Sequence, residues 1–334
     1  MKKRVLAGTA ATVLAAVMMA GSAMAAEYKV GIIQFVDDAS LNQIEKAIEE
    51  GLDEASAEGE DTFVYDGYVF NGQADATTLN QIATQLIADE VDVIVPIATP
   101  AAQIVQTATE DNQIPVVFSA VSDPVGAGLA ESMEAPGANI TGTSDALNTQ
   151  AILDLMFVAN PDIKSVGLLY SQSEDSSKQP IADAKAYLEE KGIEVVEKTG
   201  TNNTEVTQAV DALIAAGVDA VFTPTDNTVM TAELAIYEKF IDAGIPHYAG
   251  ADSFALNGAF CGYGVDYENL GKATAEMIVD VLQGADPAET PILTFDNGIA
   301  TVNTETAEAL GLDYSGFEEL CTGVVETVTA EEFE

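Results

Sequence analysis

Two doubly wound α/β lobes are the fold this sequence predicts, on three observations. Short apolar runs of strand length alternate with amphipathic helical patterns, the alternation occurs in two rounds, and the two rounds match each other segment by segment at nearly constant separation. Lys29-Val-Gly-Ile-Ile-Gln-Phe35 matches Ser165-Val-Gly-Leu-Leu-Tyr-Ser171. Val91 to Pro100 matches Val218 to Asn227, and Ile114 to Asp123 matches Ile245 to Phe254. One architectural unit is therefore used twice.

The apolar runs are followed by helices. Leu41 to Ala57 begins after Ser40 with Leu41, Ile44, Ala47, Ile48 and Leu52 on one face, and Thr78 to Ala88 carries Leu79, Ile82, Ala83, Leu86 and Ile87. Their counterparts are Ile181 to Lys191 and Glu205 to Ala216. Strands without strict alternation, separated by helices, belong to parallel sheets covered on both faces. In such sheets ligands bind beyond the carboxyl ends of the strands. Six loops are thereby singled out: 34–38, 98–102, 119–124, 170–176, 225–228 and 250–254. If the lobes face each other, all six converge on one cleft.

The segment Asn139-Ile-Thr-Gly-Thr-Ser-Asp145 lies between the rounds and reads as the first crossover. A second is expected near Asp252, with helix Leu270–Gln283 returning to the first lobe, and a third near Ile292–Phe295. The expected division is a leader over 1–25, lobe one over 26–143 plus 252–290, and lobe two over 144–251 plus 291–334.

The leader has a cationic start (Lys2, Lys3, Arg4), an apolar run from Val5 to Ala20 and the small-residue sequence Ala23-Met24-Ala25, the pattern of an export signal cut after Ala25. No Cys stands near that cut for lipid attachment. Removing residues 1–25 takes away three of the 12 basic residues and none of the 55 acidic ones, leaving a net charge of −46. A surface so acidic repels nucleic acid and anionic lipid. Solubility is the ordinary reason for it, and a high-salt habitat stays open as a second.

All nine basic residues beyond the leader are Lys, so no Arg is present to clamp a carboxylate or phosphate. The single His247 stands in an apolar strand pattern and reads as a core residue. With one His and two distant Cys, the chain has no constellation for zinc or for Cys/His catalysis, and neither a nucleophile–base pair nor a phosphate loop is evident. No cofactor, no metal and no enzyme activity are expected. Cys261 and Cys321 are either a disulfide or two buried thiols.

Taken together, the segment Val-Gly-Ile-Ile-Gln near the start, Thr77 to Ala83, Ala98 to Gln103, Ser119 to Pro124, Thr141 to Asp145, Pro224 to Thr228 and Tyr263 to Tyr267 resemble the substrate-binding components of ABC transporters for tryptophan and tyrosine uptake. The resemblance covers nearly the whole chain beyond the leader. It implies the periplasmic-binding-protein type I fold, an aromatic amino acid as ligand and an ABC permease as partner. The first loop departs from the family: it reads Gln34-Phe-Val-Asp-Asp-Ala39 where the family carries a Glu-His-Pro-like sequence.

An amino acid brings a carboxylate, an ammonium and a side chain into the cleft, and each must be satisfied after leaving water. Without Arg, the carboxylate falls to hydroxyls and backbone N–H groups. Thr99-Pro100 reads as a helix N-cap with Pro at the first helical position, and Ser122 lies on the neighbouring loop. The ammonium is assigned to Asp226 and Asp252, which occupy the second-lobe positions matching Thr99 and Val121; plain helix capping is the alternative for both. Gln34, Phe35, Tyr170, Asn227 and Phe254 are the remaining wall candidates, with core packing the alternative for the aromatics. Asp123, Ser144 and Asp145 either touch ligand or fix the hinge. A monomer is expected, and a ligand domain serving a receptor is the competing function.

The leader yields the first testable outcome. Mass spectrometry of the exported protein should find a mature chain beginning at Ala26; a product retaining residues 1–25 would make the apolar run an anchor instead.

Overall fold

The computed structural model describes residues 25–295 and 298–330, so the expected export signal lies outside the described residues except for Ala25. Lobe one is built from β1 (Glu27–Gln34), α1 (Ala39–Glu58), β2 (Thr62–Val64), β3 (Val69–Asn71), α2 (Ala76–Ala88), β4 (Val93–Ile97), α3 (Thr99–Thr109), β5 (Val116–Phe118) and β6 (Ile140–Ser144). Lobe two follows with α4 (Thr149–Ala159), β7 (Ser165–Tyr170), α5 (Lys178–Glu190), β8 (Glu194–Thr199), α6 (Asn203–Ala216), β9 (Ala220–Thr223), α7 (Asn227–Met230), α8 (Glu233–Ala243), β10 (His247–Ala249), α9 (Asp252–Leu256) and β11 (Cys261–Gly264). The chain returns to lobe one for α10 (Tyr267–Leu282) and β12 (Leu293–Thr294), then ends in lobe two with β13 (Ile299–Asn303), α11 (Thr304–Leu310) and β14 (Gly323–Thr327).

Each lobe holds one seven-stranded sheet. The orders are β12-β6-β5-β4-β1-β2, with β3 also beside β1, and β14-β13-β11-β10-β9-β7-β8. The first sheet is parallel throughout. In the second, β13 runs antiparallel to β11, because the chain re-enters that lobe from the opposite direction after β12. Val30, Ile32, Ile33, Val93, Ile94 and Val95 are fully buried in the first sheet, as are Val166, Leu168, Val221 and Phe222 in the second, which is why those strands read as unbroken apolar runs.

Four helices start two or three residues before the apolar periodicity does. Asp38, Asp75, Asn202 and Asp266 cap α1, α2, α6 and α10 by accepting from N–H groups of the first turn. A carboxylate or amide that caps a helix carries no apolar signal, so the pattern alone locates such starts late.

The second crossover is corrected. Asp252 opens α9 inside lobe two, and β11 still pairs with β10, so the chain leaves lobe two only after Gly264. The reason is that the apolar run after Ala249 supplies another strand of the same sheet before α10 begins. The three passages lie side by side: Phe295 N–H donates to Ser144 O at 3.2 Å, and Gly298 N–H donates to Gly264 O at 3.1 Å.

Returning α10 packs along α1 through small residues. A Cβ on Gly271 would meet the Ala47 Cβ and the Ile44 carbonyl at 2.7 Å, and one on Gly51 would meet the Ala275 Cβ at 2.6 Å. The hydroxyls of Ser119, Thr143 and Thr274 also bond to one another in the buried space under α10, at 2.9 to 3.3 Å. Overpacking so close a helix pair costs about 1–3 kcal/mol. Gly271→Ala should therefore lower the unfolding temperature in a calorimetric scan; an unchanged value would mean that the helices do not rely on this contact.

Candidate functional site

Residues just beyond the strand ends line a cavity between the lobes. Lobe one contributes Asp38 after β1, Ala98 and Thr99 after β4, Ala120 and Ser122 after β5, and Asp145 after β6. Lobe two contributes Ser176 after β7, Thr225 and Asn227 after β9, and Ala251 after β10. Ser40 and Leu41 of α1, Met230 of α7 and Tyr267 of α10 complete the wall. Among the described residues lining it there are two carboxyl groups and no Lys, Arg or His.

Both carboxyls are perturbed. Burial pushes Asp38 up to about 7; the nearby Asp252 charge adds to this, and the Ser253 hydroxyl and the N–H groups of Ser40 and Leu41 partly relieve it. Burial raises Asp145 to about 6 against a hydrogen bond donated by the Ser122 hydroxyl at 3.0 Å. The buried Tyr267 phenol is held well above its ordinary range by desolvation and by the surrounding charges of Asp145, Asp252 and Asp38. A cleft whose acids are raised by desolvation, with no cation to lower them, favours a positively charged group from outside.

Opposite in charge is the start of α3. Its N-cap is Ala98, not Thr99, with φ 78° and no side-chain capping bond, and Thr99 and Pro100 form the first turn. The expected Thr99 cap is thereby displaced by one residue, which leaves the buried Thr99 hydroxyl unused as a cap and the first N–H groups without a capping side chain. Those groups carry partial positive charge. Ala120, after β5, also has a left-handed backbone, φ 53°. Two non-glycine residues held in such conformations cost about 1–3 kcal/mol each, and strain of this kind gathers at binding sites.

Of the residues expected at the site, Thr99, Ser122, Asp145 and Asn227 line the cavity, and the others lie elsewhere. Gln34 is buried behind the first loop, donating to Asn42 Oδ1 at 2.6 Å and accepting from Asn71 at 3.2 Å. Phe35 and Phe254 are in the core, Phe254 edge-on to His247 with ring centroids 5.9 Å apart. Tyr170 points along the outer side of its sheet, its hydroxyl donating to Glu197 at 2.9 Å. Asp123 caps its own turn at Gly126 N–H, and Ser144 donates to the Ser122 carbonyl at 3.4 Å. Asp226 is the buried cap of α7, accepting from Val229 N–H, Ser171 N–H and the Ser177 hydroxyl, and burial and the Glu174 charge raise its pKa. Asp252 accepts from Ser40 and Gln43 across the lobe junction.

The repeat comparison fails for the two second-lobe acids because it fixes backbone position, while capping and cross-lobe bonds decide where a carboxylate points. Among the lining residues that sequence reasoning passed over are Asp38 and Tyr267. Both stood inside singled-out segments, the first loop and Tyr263 to Tyr267. His247 is a core residue, bonded to Glu233 at 2.9 Å and Thr223 at 2.8 Å. Cys261 is buried, Cys321 is half-buried, and both thiols are free.

Comparison with known proteins then decides the family. The family model described as "ABC transporter substrate binding protein" matches residues 29–322. The chain belongs to this family of ABC transporter substrate-binding proteins. Over 283 residues, covering 85% of this chain and 81% of its relative, it is 34% identical to a tyrosine-binding protein of Clostridioides difficile (strain R20291). A Streptococcus pneumoniae ABC domain solved in complex with L-Trp superposes with a TM-score of 0.82 at 33% identity, over 90% of this chain and 100% of that one. A ligand-free, open substrate-binding protein with adhesive properties from Clostridium difficile gives 0.67 at 32% identity, over 91% and 100%.

The raised acids make the ligand-free protein's stability depend on pH. Asp38 and Asp145 hold protons in the folded state that the unfolded chain has released above about 4. Their contribution is complete below that value and is lost as pH rises through about 6 and 7. The unfolding temperature should fall from pH 5 to pH 8, and Asp38→Asn should flatten the fall. A slope unchanged in that variant would remove Asp38 as its source.

Proposed function

We propose that this substrate-binding protein is exported, works outside the cytoplasmic membrane, binds an aromatic amino acid in the inter-lobe cavity and delivers it to an ABC permease without catalysing a reaction. The observation carrying this reading is the pair of buried carboxyls, Asp38 and Asp145, facing a cavity that contains no cationic side chain. The ligand's ammonium goes to these two. Its carboxylate goes to the Thr99 hydroxyl and the start of α3, and its ring lies against Tyr267, Met230 and Leu41, where an aromatic wall favours offset or edge contacts. Tyrosine and tryptophan head the ligand class because the relatives named above bind them. No described helix is long and apolar enough to cross a membrane.

Titration calorimetry against the amino acids tests the reading. L-tyrosine or L-tryptophan should bind one to one. Losing a buried charge partner costs about 2–5 kcal/mol, so Asp145→Asn should weaken binding by that much. Thr99→Val, which removes one hydroxyl, should cost about 1–3 kcal/mol. A sugar or a branched-chain amino acid binding far more tightly than either aromatic would defeat the ligand assignment, and wild-type affinity in Asp145→Asn would defeat the placement of the ammonium.

A further inference from the structure

Asp252 does not line the cavity, yet it bonds one lobe to the other. Its carboxylate, at the start of α9 in lobe two, accepts a hydrogen bond from the Ser40 hydroxyl and one of 3.0 Å from Gln43 Nε2, both on α1 of lobe one. Ser253 N–H returns a bond of 3.2 Å to the Ser40 hydroxyl. Ser40 N–H in turn donates to Asp38 Oδ1 at 2.9 Å. One serine therefore stands between a carboxyl of lobe one and a carboxyl of lobe two, and closing the lobes brings these two acids together. The groups facing them are Asp145 and Tyr267, with Asp37 on the groove outside. None is a cation. A further cross-lobe bond, from Gln103 to Asp175 at 2.7 Å, has no such opposition, since Lys178 already pairs with Asp175.

We propose that Asp252 is a positioning residue that gates closure by charge: it latches onto Ser40 and Gln43, but opposes Asp38 until positive charge enters between the lobes. That charge is the ligand's ammonium, which makes this inference rest on the reading of the site given above; in its absence a proton on either acid serves. Burial raises the pKa of both acids, and at Asp38 the Asp252 charge adds to the rise. The ligand then supplies what closing requires, and a molecule of similar shape without a cation leaves the lobes apart.

The inference separates charge from hydrogen bonding at one position. Asp252→Asn keeps one acceptor oxygen for Ser40 and turns the other position into an amide donor that a rotated Gln43 carboxamide can accept, while removing the charge; Asp252→Ala removes both. Small-angle scattering of the ligand-free full-length mature protein at pH 8 should give a smaller radius of gyration for Asp252→Asn and Asp38→Asn than for wild type, and no decrease for Asp252→Ala. With L-tyrosine as probe, Asp252→Ala should release ligand roughly tenfold faster in stopped flow, with little change in association rate. Circular dichroism confirms that each variant is folded. A latch without charge gating predicts that neither asparagine variant is more compact than wild type, and that result overturns the proposal. The ligand-free comparison uses no amino acid, so failure of L-tyrosine to bind would count against the ligand assignment while leaving the gating to be decided by the radii.

Discussion

Asp38 and Asp145 are buried in a cleft whose lining holds no cation, and the organisation of the site follows from that imbalance. A carboxylate withdrawn from water must be paired, hydrogen-bonded or neutralised. Asp145 has the Ser122 hydroxyl, and Asp38 has the first N–H groups of α1, yet burial still holds both well above the ordinary carboxylate range. The site is thus incomplete by one positive charge. With no Arg beyond the leader, the opposite pole has to come from backbone, and the uncapped start of α3 beside Thr99 provides it. An amino acid's two charges fit these poles.

Architecture makes this division workable. The lining comes from the loops and first helical turns that follow parallel strands in two lobes, with Met230 of α7 and Tyr267 of α10 added to them. The three passages run side by side, and α10 is packed against α1 through Gly271 and Gly51. Lobe one is thus one packed unit that carries Asp38, Thr99 and Asp145, and Asp252 of lobe two bonds to its Ser40. Ligand charge and lobe position become one problem in electrostatics.

The fold was legible because its signals are repeated. Two rounds of apolar runs, each bounded by amphipathic helices, specify two parallel sheets, and the matching segments name the loops that converge. The site was legible only at the level of loops. Thr99, Ser122, Asp145 and Asn227 follow strand ends and reach the cavity, whereas Phe35, Tyr170 and Phe254 follow them and turn away. Which side chain faces the cleft depends on local backbone, as the left-handed Ala98 and Ala120 demonstrate, and no periodicity records it. Asp226 and Asp252 matched the chemistry sought but are occupied by the α7 cap and the lobe junction. Asp38 lay in the loop where this chain departs from the resemblance, and its departure supplies an acid.

The most direct test of this account is the proton balance of binding. Calorimetric titration of L-tyrosine at pH 6.5, repeated in buffers of different ionisation enthalpy, counts the protons exchanged. Asp38 and Asp145 are partly protonated in the empty cleft and must ionise to hold an ammonium, so binding should release protons, and release should diminish in Asp38→Asn. Tight binding with no release, or with uptake, would contradict the account and place the ammonium away from these carboxyls.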